Sequence, residues 1–284
     1  MLQHLEKKNV TMLPGLFRER MLVNRNYLLE LGTQELLQNY YLEAGIVMPD
    51  LQVLERPETA KLHWGWEAPT CQLRGHFLGH WLSAASSLIA SENDAALKAK
   101  LDEIISELAR CQELNGGEWI GPFPEKYFTR LEKELHIWSP QYVMHKLIMG
   151  LTHAYLYAGN EQALTIVRKL ADWYIRWTEQ VQSTNPHAVY SGEESGMLEM
   201  WALLFETTKD PVYETLASRY SNPSIFRKLL AGKDALTNCH TNASIPWAHG
   251  AARMYEVTGD EKYKTIVELF WKCAVTDRGS FCTG

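Results

Sequence analysis

The sequence predicts an all-α fold. Apolar residues recur at spacings of three and four over long stretches, polar turns join these stretches in pairs, and no alternating strand of useful length competes with them. The stripe within segment 76–91 consists of Phe77, Leu78, Trp81, Leu82, Ala85, Leu88 and Ile89. The same spacing predicts further helices over residues 97–114, 140–158, 161–181, 196–208, 211–219, 245–258 and 261–275.

The polar turns between paired helices share one register. Asn160, Asp210 and Asp260 lie fifty residues apart, and each follows the end of one apolar helix and precedes another. A glycine or polar residue ends the first helix, and the Asn or Asp side chain can cap the second. A fainter version occurs at Asn93 and Asp94. These turns indicate an internal repeat of helical hairpins.

A repeat of this length with two helices suits either an open solenoid or a closed toroid. Inserts at 115–139, 182–195 and 231–244 are rich in Gly, Pro, Trp, His and Asn, and they recur between the hairpins. Such loops favour a closed ring with a functional mouth. An (α/α)6 toroid needs six hairpins and four or five are recognisable. We therefore predict a single, incomplete toroid domain over residues 1–284.

Composition excludes several classes of function. The net charge of -6 and the pI near 5.9 leave no basic stripe for nucleic acid. No apolar run approaches about 20 residues, so no membrane partner is expected. The charged N-terminus lacks the apolar core of a secretory signal. Five widely spaced cysteines without a C-x-x-C pair argue against disulfides and against a self-contained zinc site, which predicts a cytoplasmic protein.

The first candidate site follows Trp66. His76 and His80 are four residues apart on one predicted helix, so both face the same way. This spacing suits a metal, but Phe77 occupies the place of the glutamate in H-E-x-x-H, and we favour a substrate-binding role over metal ligation. The glycines beside these histidines allow a ligand or another backbone to approach. Two structural histidines at a helix start are the alternative interpretation.

Two further histidines lie near helix starts that carry proline. Ser139-Pro140 provides a cap and a first turn, which places His145 close to the loop-bearing end of its helix. An isolated helical histidine is nevertheless more often structural. Pro246 is predicted to open a later helix, and His240 and Asn242 precede it in a loop. A histidine and an amide at this spacing are suited to hydroxyl recognition.

Three carboxylates surround the predicted start of the helix at 196–208. Helix capping and solvation account for Glu194, whereas Glu193 and Glu199 are candidates to accept hydrogen bonds from sugar hydroxyls. Four histidine- or glutamate-bearing sites thus open successive hairpins. Their common register favours one shared pocket.

Several blocks together resemble the family 127 and 146 glycoside hydrolases, whose characterised members are β-L-arabinofuranosidases. The blocks are GWE, GHFLGHWLSA, SPQYVMHKLIMGL, YSGEESGMLEM, HTNASIPWAHGAARMYEVTGDEKY and RGSFCTG, in the family's order and across residues 14–284. The resemblance implies an (α/α)6 toroid followed by β-sandwich domains. It also implies exo-acting, retaining hydrolysis of a terminal L-arabinofuranosyl or related sugar in an arabinose-containing glycan.

The resemblance further implies a cysteine nucleophile held on zinc, and a glutamic acid that protonates the leaving group. In the family these groups follow the T-G-G turn that this sequence reaches at Thr283-Gly284. Cys282 corresponds to the residue before that turn and not to the nucleophile. The expectation is therefore that this chain carries no catalytic residue, metal or cofactor. Zinc is expected in the full-length protein only.

What the resemblance leaves in this chain is substrate contact. It matches His145 and His240, then His249 or His80, with Trp66 and Glu193 as weaker candidates. Two positions depart from the family pattern. Leu198 replaces an amide of the G-G-M-N-E block, which suggests a different sugar, and His249 stands where many relatives have an apolar residue.

Two other functions remain open on the sequence. Helical toroids also include sugar 2-epimerases and unsaturated uronyl hydrolases, in which His145 and His240 would act directly as acid and base. A non-catalytic scaffold that binds protein or glycan is the second. For the glycosidase interpretation, an unfinished ring exposes apolar hairpin faces, which predicts self-association.

Overall fold

A computed structural model of the chain describes residues 5–47 and 62–279. These residues form twelve α-helices and no strand. The helices are α1 (Leu16–Glu30), α2 (Thr33–Glu43), α3 (His76–Glu92), α4 (Ala95–Leu114), α5 (Lys126–Glu132), α6 (Pro140–Ala158), α7 (Glu161–Thr184), α8 (Met197–Thr208), α9 (Pro211–Arg219), α10 (Ser224–Leu230), α11 (Thr241–Thr258) and α12 (Glu261–Trp271). Within that described part, no helix combines the length and the apolar character required to cross a membrane.

The predicted hairpin turns are confirmed in detail. Each of the four turns places one residue in the left-handed region, and the next residue accepts a hydrogen bond from a backbone N–H of the following helix. The left-handed residues are Asn93, Gly159, Lys209 and Gly259, with φ of 52°, 65°, 59° and 70°. The capping residues are Asp94, Asn160, Asp210 and Asp260. The turns therefore join α3 to α4, α6 to α7, α8 to α9 and α11 to α12.

Two of these turns share a further hydrogen bond. The N–H of Asp210 donates to Oγ1 of Thr208, and the N–H of Asp260 donates to Oγ1 of Thr258, both at 3.2 Å. The repeat is therefore visible in individual hydrogen bonds as well as in the spacing of the turns.

The described chain divides into two compact units. The first contains the residues up to Arg130 together with His136–Trp173. Its central contact is between α3 and α6, whose backbones come very close at two glycines. A Cβ on Gly79 would lie 2.1 Å from the carbonyl oxygen of Lys146, and one on Gly150 would lie 2.6 Å from the carbonyl oxygen of Gly79. The predicted role of glycine in close approach is thus fulfilled by a neighbouring backbone.

The second unit contains Leu131–Leu135 and the chain from Tyr174 onward. In it α8 packs against α9 and α11, and α11 packs against α12. Trp201 is fully buried between Tyr174 and Tyr213, with ring centroids 5.4 Å and 6.2 Å away. Aromatic residues thus form much of this core, which agrees with a structural use for part of the high aromatic content.

Four helices are not predicted by the spacing of apolar residues. Helix α1 has a weak apolar stripe, and several of its large side chains are exposed, including Phe17 and Val23. Helix α2 buries the polar Gln38 and Asn39 where apolar residues would mark a stripe. Helices α5 and α10 have only seven residues each, too few to show a period.

Two predictions about helix starts are wrong. Helix α11 begins at Thr241, so Pro246 lies inside it and not at its opening. The turns before the proline are helical, and Oγ of Ser244 donates to the carbonyl oxygen of His240 at 2.8 Å. Pro140 does begin α6, but Ser139 makes no side-chain cap. Its left-handed backbone, with φ of 50°, differs from the extended conformation that capping requires.

Candidate functional site

Two buried polar residues of α2 hold the segment that precedes α3. The Gln38 amide donates to the carbonyl oxygens of His63 and Glu67 at 2.8 and 2.9 Å, and it accepts the N–H of His63 at 2.8 Å. The Asn39 amide also donates to the carbonyl oxygen of Glu67, at 2.9 Å. These bonds fix residues 63–67 and hence the backbone of Trp66. Sequence reasoning missed both residues, because α2 has no clear apolar stripe against which two inward-facing polar residues would stand out.

The Glu67 side chain occupies the N-terminus of α3. Its carboxylate accepts the N–H of Gly75 at 2.7 Å and that of Phe77 at 3.0 Å, so it caps a helix whose N-cap glycine has no side chain. Nδ1 of His76 lies 2.8 Å from the same carboxylate. Burial by itself would raise the pKa of Glu67, but the hydrogen bonds from His76, Phe77 and Gly75 outweigh it and lower that pKa. Glu67 is therefore ionised at neutral pH.

Aromatic rings and imidazoles gather at this end of α3 and α6. We call this group the Trp66 cluster, and it consists of Trp66, His76, His80, Trp138 and Tyr142. The His76 ring centroid lies 6.1 Å from that of Trp66, and 6.0 Å from those of both His80 and Tyr142. Trp66 and Trp138 meet edge to face at 6.3 Å. Three predicted site residues are thus brought together, and two aromatic residues outside the predicted set complete the group.

The Trp66 cluster is open on one side and closed on the other. Trp66 and Trp138 are 62% and 40% exposed, whereas His76 is only 8% exposed. Exposed indole faces next to half-buried hydrogen-bonding rings can bind a molecule that has both C–H faces and hydroxyl groups.

His80 is a neutral imidazole in this setting. Burial, and then the positive charge of Lys146 with a smaller contribution from His76, lower its pKa to about 4. Its Nε2 lies 3.4 Å from the hydroxyl of Tyr142. A neutral imidazole can accept one hydrogen bond and donate another, which suits a hydroxyl ligand.

Two more histidines of α6, one buried and one half-buried, lie in the same unit. His145, a predicted site residue, is 5% exposed, and burial lowers its pKa well below the ordinary value, helped by Lys146 and His80. Its Nε2 is buried without a hydrogen-bond partner in the described structure. The pKa of His153 is lowered to about 4 by burial and then by Lys7, and its Nδ1 lies 3.1 Å from Oγ of Ser83.

The other predicted site residues belong to the second unit. His240, Asn242, His249 and Glu193 are exposed, and Glu199 is half-buried. Nδ1 of His249 lies 3.9 Å from the Glu199 carboxylate, which is the one pairing among them that the structure records. His240 is the N-cap of α11, and Glu193 has a left-handed backbone with φ of 58°. A substrate-binding role for these five residues stays a prediction.

Glu194 is where the expectation of a solvated carboxylate is wrong. It is 5% exposed, and its Oε1 accepts the indole N–H of Trp247 at 3.1 Å. Burial raises its pKa to about 7, although the Trp247 hydrogen bond acts in the opposite direction. Three adjacent polar residues at a helix start gave no signal that this one points inward.

No group of three or more His, Cys, Asp and Glu side chains within residues 5–47 and 62–279 is arranged to hold a metal ion. The described residues therefore do not form the zinc site that the family resemblance implies. Cys282, rejected above as a nucleophile, lies outside them.

Taken together, the fold and the Trp66 cluster define a helical-hairpin protein with a site suited to ring compounds that bear hydroxyls. The family model described as the GH127 catalytic domain of β-L-arabinofuranosidases matches residues 9–284. The chain therefore belongs to glycoside hydrolase family 127.

Comparison with solved structures gives a consistent result. The chain resembles the crystal structure of Ara127N-Se, a GH127 β-L-arabinofuranosidase from Geobacillus stearothermophilus T6, with a TM-score of 0.57 and 16% sequence identity. The match covers 91% of this chain and 42% of that enzyme, so the chain spans less than half of its length. No curated protein matches the sequence in a direct comparison. At this identity the likeness shows the fold, and the predicted all-α fold of helical hairpins is confirmed.

Proposed function

We propose that the protein to which this chain belongs is an exo-acting, retaining glycosidase. Its substrate would be a terminal L-arabinofuranosyl or related sugar of an arabinose-containing glycan. We also propose that this chain contributes part of the sugar-binding surface. Membership of family 127 supports the reaction class, and the similarity to a β-L-arabinofuranosidase supports the sugar.

The Trp66 cluster is the observation on which the binding proposal rests. A furanose presents apolar C–H groups on one face and hydroxyls at its edge. The exposed indoles of Trp66 and Trp138 would cover the apolar face, while His80 and Tyr142 would exchange hydrogen bonds with the hydroxyls. The neutral state of His80 favours an uncharged sugar, because an imidazolium would be better matched to a carboxylate.

The chain by itself is proposed to bind and not to turn over. The family's nucleophilic cysteine, its zinc ligands and its acid/base glutamate have no counterparts among the blocks that this sequence matches. A cytoplasmic location of the whole protein stays a prediction from the cysteine pattern. Self-association of this chain stays a prediction from the expected unfinished ring.

Binding of methyl β-L-arabinofuranoside, measured by calorimetry or by chemical-shift changes, tests the proposal. Trp66→Ala and Trp138→Ala should each weaken binding by about three- to tenfold, the size expected for losing one aromatic contact. Trp271→Ala is the matched control, because Trp271 is 63% exposed and lies in the other unit. If all three substitutions weaken binding equally, or if the wild-type chain does not bind the sugar, the proposed sugar site is wrong. The non-catalytic scaffold would then be the better interpretation.

A further inference from the structure

Both oxygens of the Glu67 carboxylate accept hydrogen bonds. Oε1 accepts from the backbone N–H of Phe77 and from Nδ1 of His76, at 3.0 and 2.8 Å. Oε2 accepts from the backbone N–H of Gly75 and from the Asn39 amide, at 2.7 and 3.2 Å. All four neighbours are donors, so the ionised form of Glu67 is the one that satisfies them.

This arrangement determines which ring nitrogen of His76 carries hydrogen. Nδ1 faces two acceptors, because it lies 2.8 Å from the Glu67 carboxylate and 3.1 Å from the carbonyl oxygen of Leu73. A bare Nδ1 would meet both acceptors with its lone pair, which is unfavourable. The neutral tautomer with hydrogen on Nε2 alone is therefore excluded. Nε2 is the ring nitrogen that Glu67 and Leu73 leave uncommitted.

We propose that Glu67 is a positioning residue of the sugar site. Its carboxylate holds the His76 ring through Nδ1–H, so that Nε2 is available to accept a hydrogen bond from a hydroxyl of a neutral sugar. The inference deepens the proposed function and rests on it. Glu67 acts through His76 and has no contact with the sugar itself.

The neighbours of His76 define what else can influence its protonation. They are His80 of α3, Tyr142 of α6 and the Glu67 carboxylate, which precedes α3. Farther out, Nζ of Lys146 lies 5.0 Å from the centre of the Tyr142 ring. Glu67 is the one negative charge in this set.

Loss of stability alone does not identify a positioning role, since Glu67 also caps α3. The test therefore uses long-range ¹H–¹⁵N correlation spectra of the imidazoles together with binding of methyl β-L-arabinofuranoside. The variant is Glu67→Gln, whose amide oxygen can still accept from a backbone N–H but carries no charge. Asp94→Ala is the matched control, because Asp94 caps α4 through the N–H of Leu97 and has no imidazole partner.

The expected result has two parts. In the wild-type chain, hydrogen resides on Nδ1 of His76 and not on Nε2, and in Glu67→Gln the share of the Nε2–H tautomer rises and sugar binding weakens about tenfold or more. Asp94→Ala should lower the melting temperature without changing either property. If sugar affinity or the His76 spectrum is the same in Glu67→Gln as in the wild type, the inference is wrong while the sugar site stands.

Two remaining outcomes are also decisive. Should Glu67→Gln fail to fold, the wild-type spectrum decides, since hydrogen on Nε2, alone or together with Nδ1, would overturn the inference and hydrogen on Nδ1 alone would support it. If the wild-type chain binds no sugar, the proposed function fails. The spectra then still show whether Glu67 controls the tautomer of His76.

Discussion

The indole N–H of Trp247 donates to a carboxyl oxygen of Glu194 at 3.1 Å, inside the second unit. The donor belongs to α11, and the acceptor lies three residues before Met197, the first residue of α8. Burial raises the pKa of Glu194 from 4.5 to about 7, with a smaller contribution from Glu193 in the same direction. The fold thus prefers the protonated acid.

This preference predicts a pH dependence of stability. Between pH 4.5 and about 7 the folded state holds a proton that the unfolded state releases, so the free energy of unfolding falls as pH rises through this window and is constant above it. Glu194→Gln keeps the oxygen that Trp247 needs and removes the ionisation. We expect it to stabilise the chain by roughly 2 kcal/mol at pH 8 and by little at pH 4.5. Urea unfolding at the two pH values measures the difference, with Glu193→Gln at the exposed neighbour as the control.

His153 should have the opposite pH dependence. Its pKa is lowered from 6.5 to about 4, so the unfolded state takes up a proton that the folded state resists, and stability is lost as pH falls through this window. His153→Asn retains a polar atom for Ser83 and does not titrate. The variant should lose about 1–3 kcal/mol less than the wild type between pH 7 and pH 4.5. An unchanged acid sensitivity, equal to that of the exposed His187→Asn control, would contradict this assignment.

Gly79 should tolerate no side chain. Its Cβ would lie 2.1 Å from the carbonyl oxygen of Lys146 in α6, which is backbone and cannot turn away. Alanine usually stabilises a helix relative to glycine, but here the overlap dominates, and we expect Gly79→Ala to destabilise the chain by more than about 2 kcal/mol. Ser87→Ala, on the same helix with only a local hydrogen bond to Ser83, should change little. Thermal unfolding followed by circular dichroism compares the two.

The contribution of a hairpin cap to stability should be measurable separately from that of the core. Asp260 accepts the N–H of Lys262 at 2.9 Å at an exposed turn. Asp260→Ala should cost about 1 kcal/mol, whereas Asp260→Asn should restore most of it because an amide oxygen caps as well. If alanine and asparagine behave alike in chemical denaturation, the turn owes its stability to the left-handed Gly259 and not to the cap.

Local patterns determined most of the hairpin architecture. Long helices are recognised by the period of their apolar residues. Each tight turn consists of a left-handed residue followed by an Asp or Asn cap. Both features depend on neighbours in sequence. Short helices such as α5, and helix α2 with its buried Gln38 and Asn39, were not predicted because their stability comes from contacts distant along the chain. The start of α11 was misjudged for a related reason, since Pro246 is tolerated inside a helix that packing holds in place.

In the candidate site, too, some features follow from the sequence and others depend on the tertiary structure. Histidine spacing alone showed that His76 and His80 share a helical face, because the geometry of an α-helix fixes it. Burial of Glu194, and the contact between Glu67 and His76, were decided by tertiary structure. A side chain's protonation depends on the dielectric and on the donors around it, and these come from segments that only folding brings together.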